Sequence, residues 1–209
     1  LKRKNRKLKL RNLHYSFMAK ILNLNDKNEC VKFQKSFLKG SVFAYPTEAV
    51  FGLGCIINNK NSINKILDLK KRDASKGLIV ISDNIEKVRN LINDDHFKLF
   101  VQNSGAAVPT TWLCPASKIV LSEVTGGSNK IAIRITRHEA SCNLCKLLDS
   151  PIISTSANVT GEKPMTNMEE ILDYFGNNID YVINDRIGES TKPSRILDLI
   201  TKKVLRDGG

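Results

Sequence analysis

No stretch of this chain approaches the roughly 20 consecutive apolar residues that a membrane-spanning helix needs. Two common glycine-rich nucleotide motifs are also incomplete. Residues 126–130 (GGSNK) do not have P-loop spacing, and residues 52–54 (GLG) are without the third glycine of the dinucleotide fingerprint, so we interpret the latter as a tight packing turn. The Gly-x-Ser-x-Gly motif of α/β-hydrolases is absent as well. These absences exclude three familiar kinds of catalytic or nucleotide site.

Histidine is scarce, and the three histidines have neither zinc-site nor catalytic-triad spacing: His14, His96 and His138. The five cysteines are scattered and odd in number, which is typical of proteins from a reducing compartment. Cys142 and Cys145 form one C-x-x-C inside a predicted helix, without the second pair of a zinc site, and we interpret them as structural. We therefore predict no metal held by protein side chains, and a cytoplasmic location.

The composition is that of a globular protein, because 41% of the 209 residues are hydrophobic and 26% are charged. The net charge is +12, but seven basic residues and no acidic residue lie in residues 1–17, which leaves +5 for the remainder. We interpret residues 1–17 as a basic arm that is either non-native or disordered, with an RNA-binding or mitochondrial-targeting arm as the alternative. Residues 18–209 are then expected to form one domain.

Apolar periodicity predicts helices that alternate with strands. The predicted helices span 29–38, 61–70, 83–91 (capped by Asp83), 94–103, 139–148 and 167–175. The predicted strands span 41–45, 50–57, 78–81, 111–114, 130–135, a run from 151, 181–184 and a hairpin near 196–205. This order predicts a single-domain α/β fold whose sheet is partly parallel and partly antiparallel.

The most informative segment is residues 151–161 (PIISTSANVTG), in which an apolar run leads into hydroxyl and amide side chains. Side chains of an extended segment alternate, so Ser154, Ser156 and Asn158 are expected to share one face, with Thr155 on the other. In open α/β sheets, ligands bind at the ends of strands. At this point two interpretations stay open: a ligand-binding row, or a Ser/Thr-rich turn that only closes the strand.

Three cations are further candidates. A helix is expected to end near Lys70, and the extended segment after it would place Lys70 and Arg72 on one side, where both can meet one anion, with Lys71 facing away. A solvated helix end is the alternative.

Arg134 is expected on the strand face opposite its neighbouring isoleucines, as either a functional cation or an outward-facing surface residue. Ser194 follows a Lys-Pro turn, which is a weak signal alone.

Five segments taken together resemble the YrdC/TsaC family of threonylcarbamoyl-AMP synthases, over roughly residues 40–208. They are residues 45–54 (YPTEAVFGLG), 69–78 (LKKRDASKGL), 131–134 (IAIR), 154–161 (STSANVTG) and 192–196 (KPSRI). The chain length is similar to that of the single-domain bacterial form. The resemblance implies a twisted mixed parallel/antiparallel sheet with flanking helices and a concave basic cleft.

The resemblance implies that the protein is a nucleotidyltransferase, which makes threonylcarbamoyl-AMP and pyrophosphate from L-threonine, bicarbonate and ATP for threonylcarbamoyladenosine modification of tRNA. The product would pass to the tRNA threonylcarbamoyl transferase machinery, and weak binding of tRNA itself is compatible with this role. Mg²⁺ is expected with ATP, held mostly by phosphate oxygens and water. No membrane partner is expected.

The resemblance also implies roles for individual residues. Lys70 and Arg72 would be the catalytic cations that hold the threonine carboxylate, the carbamate or the phosphates. The binding residues would be Thr47 in the threonine pocket, Arg134 facing the nucleotide, Ser154, Ser156 and Asn158 on nucleotide or phosphate oxygens, and Ser194 closing the site.

The chain departs from the family pattern in two places. Residues 106–109 stand where a Trp-Pro-Gly-Pro turn is usual, and Arg195 follows Ser194 where a different residue is usual. We expect a remodelled loop rather than lost activity.

Two other functions remain open. One is a non-enzymatic protein of the same fold that binds double-stranded RNA or tRNA, although the aromatic content is only 6% and basic residues do not interleave with aromatic ones. The other is a carbamoyl-adenylate enzyme that acts on carbamoyl phosphate, whose known examples are longer and carry zinc-finger segments.

Overall fold

This computed structural model describes residues 18–105, 108–190 and 192–208, and these residues fold around one mixed sheet. Within them the chain forms ten strands, six α-helices and two short 3₁₀ helices. The expected N-terminal arm and the first half of the departure at residues 106–109 lie outside the described residues, so both expectations stay predictions.

The strands are β1 (Lys20–Leu22), β2 (Phe43–Pro46), β3 (Phe51–Gly54), β4 (Ile79–Ser82), β5 (Thr110–Pro115), β6 (Lys130–Ile135), β7 (Ile152–Ser156), β8 (Tyr181–Ile183), β9 (Arg195–Asp198) and β10 (Val204–Arg206). The α-helices are α1 (Lys27–Leu38), α2 (Lys60–Leu69), α3 (Asp94–Ser104), α4 (Ser122–Thr125), α5 (Glu139–Leu148) and α6 (Met168–Phe175). The 3₁₀ helices are Ala74–Lys76 and Glu86–Leu91.

The strand order of the sheet is β1-β8-β2-β3-β7-β4-β6-β5-β9-β10. Strands β1 and β2 both run parallel to β8, β4 runs parallel to β6, and β5 runs parallel to β9. The remaining neighbours are antiparallel. The expected mixed α/β sheet with flanking helices is therefore confirmed.

Two hydrophobic clusters cover the two faces of the sheet. Helices α2, α3 and α6 bury residues such as Ile63 and Phe100 on one face, and α1 and α5 bury residues such as Phe33 on the other. Complete burial of a phenylalanine side chain contributes up to about 3 kcal/mol to folding. Along β6, Ile131 and Ile133 belong to the first cluster, so strand alternation places Arg134 on the opposite face, as predicted.

The prediction that Asp83 caps a helix over 83–91 was wrong. The segment forms the 3₁₀ helix Glu86–Leu91, which starts without a side-chain cap. Asp83 instead pairs with Lys87, at 3.1 Å between Oδ1 and Nζ. The same ammonium group also lies 3.1 Å from Asp149 Oδ1 and donates to the Cys145 carbonyl oxygen. Lys87 therefore ties this segment to the end of α5, and Asp83 pairs with it.

Helix α2 ends in a Schellman motif with a lysine in the left-handed position. The Lys71 N–H donates to the Asp68 carbonyl oxygen at 3.0 Å, and the Arg72 N–H donates to that of Leu67 at 2.9 Å. Lys71 has a φ of 47°, which is a conformation that favours glycine. The expected extended segment after Lys70 was therefore wrong, because the chain reverses at Lys71.

Replacing Lys71 by glycine is expected to raise the free energy of unfolding by about 0.5–1 kcal/mol. Glycine adopts the left-handed conformation without strain, which stabilises the folded protein, and its greater freedom in the unfolded chain cancels part of this gain. The Lys71 side chain is exposed, so little packing is lost. Urea denaturation measures the change. Lys71→Ala is the matched control, because it keeps the Cβ atom and with it the strain; equal stability of the two variants would contradict the interpretation.

Candidate active site

A cleft opens where the β2–β3 turn, the turn after α2, strands β4, β6 and β7 and the C-terminal hairpin meet. Five of the eight predicted site residues line it: Thr47, Arg72, Arg134, Ser154 and Ser156. The other three are buried and contact the lining residues from behind: Lys70, Asn158 and Ser194. All eight residues thus lie at one cleft, in two layers: five line it and three lie directly behind them.

Close strand packing forms the floor of the cleft. In β3, Gly52 pairs with Ser156 of β7, and a Cβ atom on Gly52 would lie 3.2 Å from Thr47 Cγ2 and 3.3 Å from Tyr45 Cε1. A Cβ on Gly54 would lie 2.8 Å from Phe43 Cε2. The two glycines of residues 52–54 therefore serve close packing, as predicted, but they lie within strand β3 and not in the predicted turn.

Three arginines and one acid supply the charge of the cleft: Arg72, Arg134, Arg206 and Glu48. Burial lowers the pKa of Arg206, and the positive charges of Arg134 and Arg72 lower it further, because the three guanidinium groups are close together. Glu48 can neutralise only one of them. Among the lining residues that the structure describes, positive charge is in excess, so the cleft favours an anion.

Arg134 is held rigidly against the cleft wall. Its Nη1 donates to Ser194 Oγ at 3.0 Å, and its Nη2 lies 3.0 Å from Glu48 Oε2. The other Glu48 oxygen accepts from Thr136 Oγ1 at 2.8 Å. Arg134 Nε is buried and has no hydrogen-bond partner among the described residues. The structure thus places Arg134 in the cleft rather than on the outer surface, with Nε among the donors that the described residues leave without an acceptor.

Lys70 lies behind the cleft, 2% exposed. Its ammonium group donates to the Ser156 carbonyl oxygen, to the Asn158 carbonyl oxygen at 2.9 Å and to Asn158 Oδ1 at 3.1 Å. The Lys70 carbonyl oxygen accepts from the Thr160 N–H at 2.8 Å. Lys70 therefore fastens the turn after β7 instead of sharing an anion with Arg72. The left-handed residue between them is the physical reason for this difference from the prediction.

Arg72 lines the cleft directly. Its Nε and Nη2 donate to the Gly77 carbonyl oxygen at 3.2 and 3.0 Å, which orients the guanidinium group. Burial lowers the pKa of Arg72, while the negative charge of Asp73 opposes this effect. A guanidinium group that is partly desolvated and fixed by a backbone oxygen is well suited to bind a carboxylate or phosphate.

The turn after β7 is fixed by amide contacts. Ser156 Oγ donates to Asn158 Oδ1 at 2.6 Å, and Asn158 Nδ2 donates to the carbonyl oxygens of Val159 and Glu162 at 2.9 and 2.8 Å. The Asn158 side chain is thus fully engaged in contacts within the turn.

Thr155 also forms part of the cleft wall, although strand alternation predicted that it would face away.

Sequence reasoning missed two cleft residues, Glu48 and Arg206. Glu48 lies within the segment 45–54 that carried the resemblance, and it is the acid that pairs with Arg134. Arg206 reaches the cleft only because β10 folds back on β9; its Nε and Nη2 donate to the Ser194 carbonyl oxygen at 3.1 and 2.7 Å. A basic residue near the end of the chain was the only signal for Arg206.

A larger groove lies elsewhere on the surface. The groove between residues 163–166 and α6 has a volume of about 410 Å³, larger than the 160 Å³ of the cleft. Its charged side chains are two acids and one lysine, however, so it carries no excess of positive charge that would favour an anion: Lys163, Glu170 and Asp173. We therefore assign the active site to the cleft.

Two general searches of the described residues found no further feature. In that part of the chain no helix is both long and apolar enough to cross a membrane, and no cluster of three histidine, cysteine or acidic residues could hold a metal ion. Cys142 and Cys145 lie on α5 as predicted, and burial raises the pKa of Cys145 to about 12.

The burial of Lys70 predicts a pH dependence of stability. Burial, and then the positive charge of Arg72, lower the pKa of Lys70 from 10.5 to about 8. The unfolded chain therefore binds more protons than the folded protein between pH 8 and 10.5, and folding gains stability as the pH rises through this window. In urea denaturation, wild type should gain on the order of 1 kcal/mol per pH unit relative to Lys70→Met.

Lys71→Met is the control for this measurement and should keep the wild-type dependence, because Lys71 is exposed. Parallel stability curves for wild type and Lys70→Met between pH 8 and 10.5 would contradict the interpretation.

Comparison with known proteins shows which family the chain resembles. The Sua5/YciO/YrdC family model, described as telomere recombination, matches residues 35–208. The threonylcarbamoyl-AMP synthase of Pseudoalteromonas atlantica is 41% identical over 178 residues, which are 84% of this chain and 95% of that protein. The same enzyme from Idiomarina loihiensis is 38% identical over 175 residues, 82% of this chain and 94% of that protein.

Solved structures are similar as well. Sua5 from P. abyssi in complex with L-threonine superposes with a TM-score of 0.76 and 28% identity, over 90% of this chain. This chain spans only 57% of the length of that protein. YciO from E. coli gives a TM-score of 0.76 over 91% of this chain and 96% of its own, and its 22% identity shows the fold alone. From the extent of the matched model and the identity to the bacterial relatives, the chain belongs to the Sua5/YciO/YrdC family.

Proposed function

We propose that this protein is an L-threonylcarbamoyladenylate synthase, a nucleotidyltransferase that makes threonylcarbamoyl-AMP and pyrophosphate from L-threonine, bicarbonate and ATP. The observation that carries the proposal is the meeting of Arg72, Arg134 and Arg206 around one cleft. Bicarbonate, ATP, the threonine carboxylate and the carbamate all bear negative charge, which is what such a cleft attracts. The relatives named threonylcarbamoyl-AMP synthase, and the Sua5 complex with L-threonine, support the same substrates.

The chemistry needs no nucleophilic side chain. The threonine amine adds to bicarbonate and loses water to form a carbamate, and a carbamate oxygen then attacks the α-phosphorus of ATP. The α–β phosphoanhydride bond breaks, and pyrophosphate leaves with the electron pair. Rate enhancement must therefore come from positioning and from cations that stabilise charge on the phosphate oxygens. The three arginines are suited to this task because their scaffold already fixes them.

The residues that line the cleft and the buried residues behind them would have different roles. Arg72 and Arg134 would contact the phosphates, the carbamate or the carboxylate, and Ser154 and Ser156 would donate to phosphate or ribose oxygens. Thr47, whose Oγ1 donates to the Val50 carbonyl oxygen at 2.7 Å, would line the threonine pocket.

The buried layer would act through the residues in front of it. Lys70 and Asn158 would hold the turn that carries Ser156, and Ser194 would hold Arg134 and Arg206. On this view Lys70 is a positioning residue rather than a direct ligand.

Magnesium is proposed to arrive with ATP. The only carboxylate among the described lining residues is that of Glu48, and both of its oxygens are already engaged by Arg134 and Thr136. These residues do not form an oxygen cage, so the ion would be coordinated by phosphate oxygens and water, as Mg²⁺ prefers. We further propose a cytoplasmic location and transfer of the product to the tRNA threonylcarbamoyl transferase machinery.

Pyrophosphate release tests the proposal directly. The purified protein, given ATP, Mg²⁺, bicarbonate and L-threonine, should release pyrophosphate, and omission of threonine or of bicarbonate should abolish the release. Release that does not depend on threonine would contradict a synthase. A protein without this activity that binds tRNA, with an affinity that falls steeply with salt, would be the alternative RNA-binding protein.

Single substitutions test the site assignment. Arg72→Ala, Lys70→Ala and Asn158→Ala should each lower kcat/KM at least about 30-fold, roughly 2 kcal/mol of transition-state stabilisation, because each removes a charge-assisted or buried hydrogen bond. Lys71→Ala is the matched control and should change kcat/KM far less. Wild-type turnover in all three variants, or an equal loss in Lys71→Ala, would remove the assignment.

A further inference from the structure

One hydroxyl group joins two of the cleft arginines. Ser194 Oγ lies 3.0 Å from Arg134 Nη1 and 3.3 Å from Arg206 Nη2, so that one oxygen serves two guanidinium groups of like charge. Its third neighbour is Thr111 Oγ1, at 2.9 Å. Thr111 lies on β5 beside β9 and is fully buried. It does not line the cleft, and neither the family resemblance nor the motifs drew attention to it.

The direction of each hydrogen bond follows from the chemistry of the groups. A guanidinium group has donors only, so both arginines must donate to Ser194 Oγ. These two bonds use the two lone pairs of the hydroxyl oxygen, and its single hydrogen is left for the third neighbour. Ser194 therefore donates to Thr111 Oγ1, which must accept.

We propose that Thr111 is a positioning residue of the active site. By accepting the Ser194 hydrogen, it keeps the serine oxygen oriented as a double acceptor, and the oxygen in turn keeps Arg134 and Arg206 side by side with their remaining donors toward the cleft. Without an acceptor at Thr111, the hydroxyl hydrogen turns toward another group, and one arginine loses its hydrogen bond to Ser194 Oγ while keeping its other protein partner. The inference deepens the proposed function and rests on it for the identity of the anion.

The chain offers well-matched variants. Thr111→Val keeps the β-branched shape but removes the acceptor, whereas Thr111→Ser keeps the acceptor. Thr110→Val is the control on the same strand: Thr110 Oγ1 accepts from Arg195 Nε at 2.9 Å and donates to the Val108 carbonyl oxygen, without contact to Ser194. Thermal unfolding of each variant establishes that it is folded.

The decisive readout is the set of arginine Nε–Hε signals in the NMR spectrum of the ligand-free protein. Thr111→Val should shift or broaden the signals of Arg134 and Arg206 and leave that of Arg72 in place, while Thr111→Ser and Thr110→Val should resemble wild type. Arginine signals in Thr111→Val that coincide with those of wild type would overturn the proposal. Equal shifts in Thr110→Val would also overturn it, since any substitution on β5 would then have the same effect.

Calorimetric titration with ATP gives the functional consequence. Thr111→Val should bind ATP about tenfold more weakly, which corresponds to about 1.4 kcal/mol, and Thr111→Ser should bind within about twofold of wild type. Equal weakening in Thr111→Ser would overturn the inference, because the acceptor would then not be the cause. Failure of wild type to bind ATP would count against the proposed function, and the arginine signals would still decide the role of Thr111.

Discussion

The site depends on positive charge that is held in a confined space without an equal number of acids. Arg72, Arg134 and Arg206 carry like charges close together: burial, and then the charges of Arg134 and Arg72, lower the pKa of Arg206, and Glu48 offsets only one of the three charges. Such a cluster stays in place only when fixed hydrogen-bond acceptors oppose the repulsion. The same charges then stabilise an anion without reorganisation when it binds, which is the condition for efficient electrostatic catalysis.

Most of the fold serves to supply these acceptors. The backbone oxygens of Gly77 and Ser194 orient Arg72 and Arg206, and the side chains of Glu48 and Ser194 orient Arg134. These groups come from distant parts of the chain, which the mixed sheet brings together. Lys70 uses the same kind of contact with the roles reversed, because here the cation fixes the backbone: its ammonium group binds three oxygen atoms of the turn after β7.

Sequence reasoning succeeded where the signal is local. The alternation over β6 and the apolar spacing over α5 gave both elements with their observed bounds, and the alternation placed Arg134 on the face opposite Ile131 and Ile133, while only the structure decided between the cleft and the outer surface. Strand β1 was missed because it has three residues and is defined by its pairing with β8, which is far away in the chain. Arg206 was missed for a similar reason, since only the C-terminal hairpin brings it to the cleft.

The error at Lys70 and Arg72 has a different origin. Both residues were predicted as site residues, and Arg72 lines the cleft while Lys70 lies directly behind it, but the alternation rule failed between them. The left-handed position at the end of a helix is usually occupied by glycine, which a sequence reader can recognise, but here it is occupied by Lys71. Backbone strain of this kind is invisible in a residue pattern, so the division of the site into a lining layer and a buried layer emerged only from the structure.

The most direct test of this account is a crystal structure of the protein with ATP and Mg²⁺. The account predicts that the phosphate groups lie in the cleft, within hydrogen-bond distance of the guanidinium groups of Arg72, Arg134 and Arg206, with Lys70 still bound to the turn after β7. Phosphates bound elsewhere on the protein, with the three arginines still paired only to protein oxygens, would contradict it.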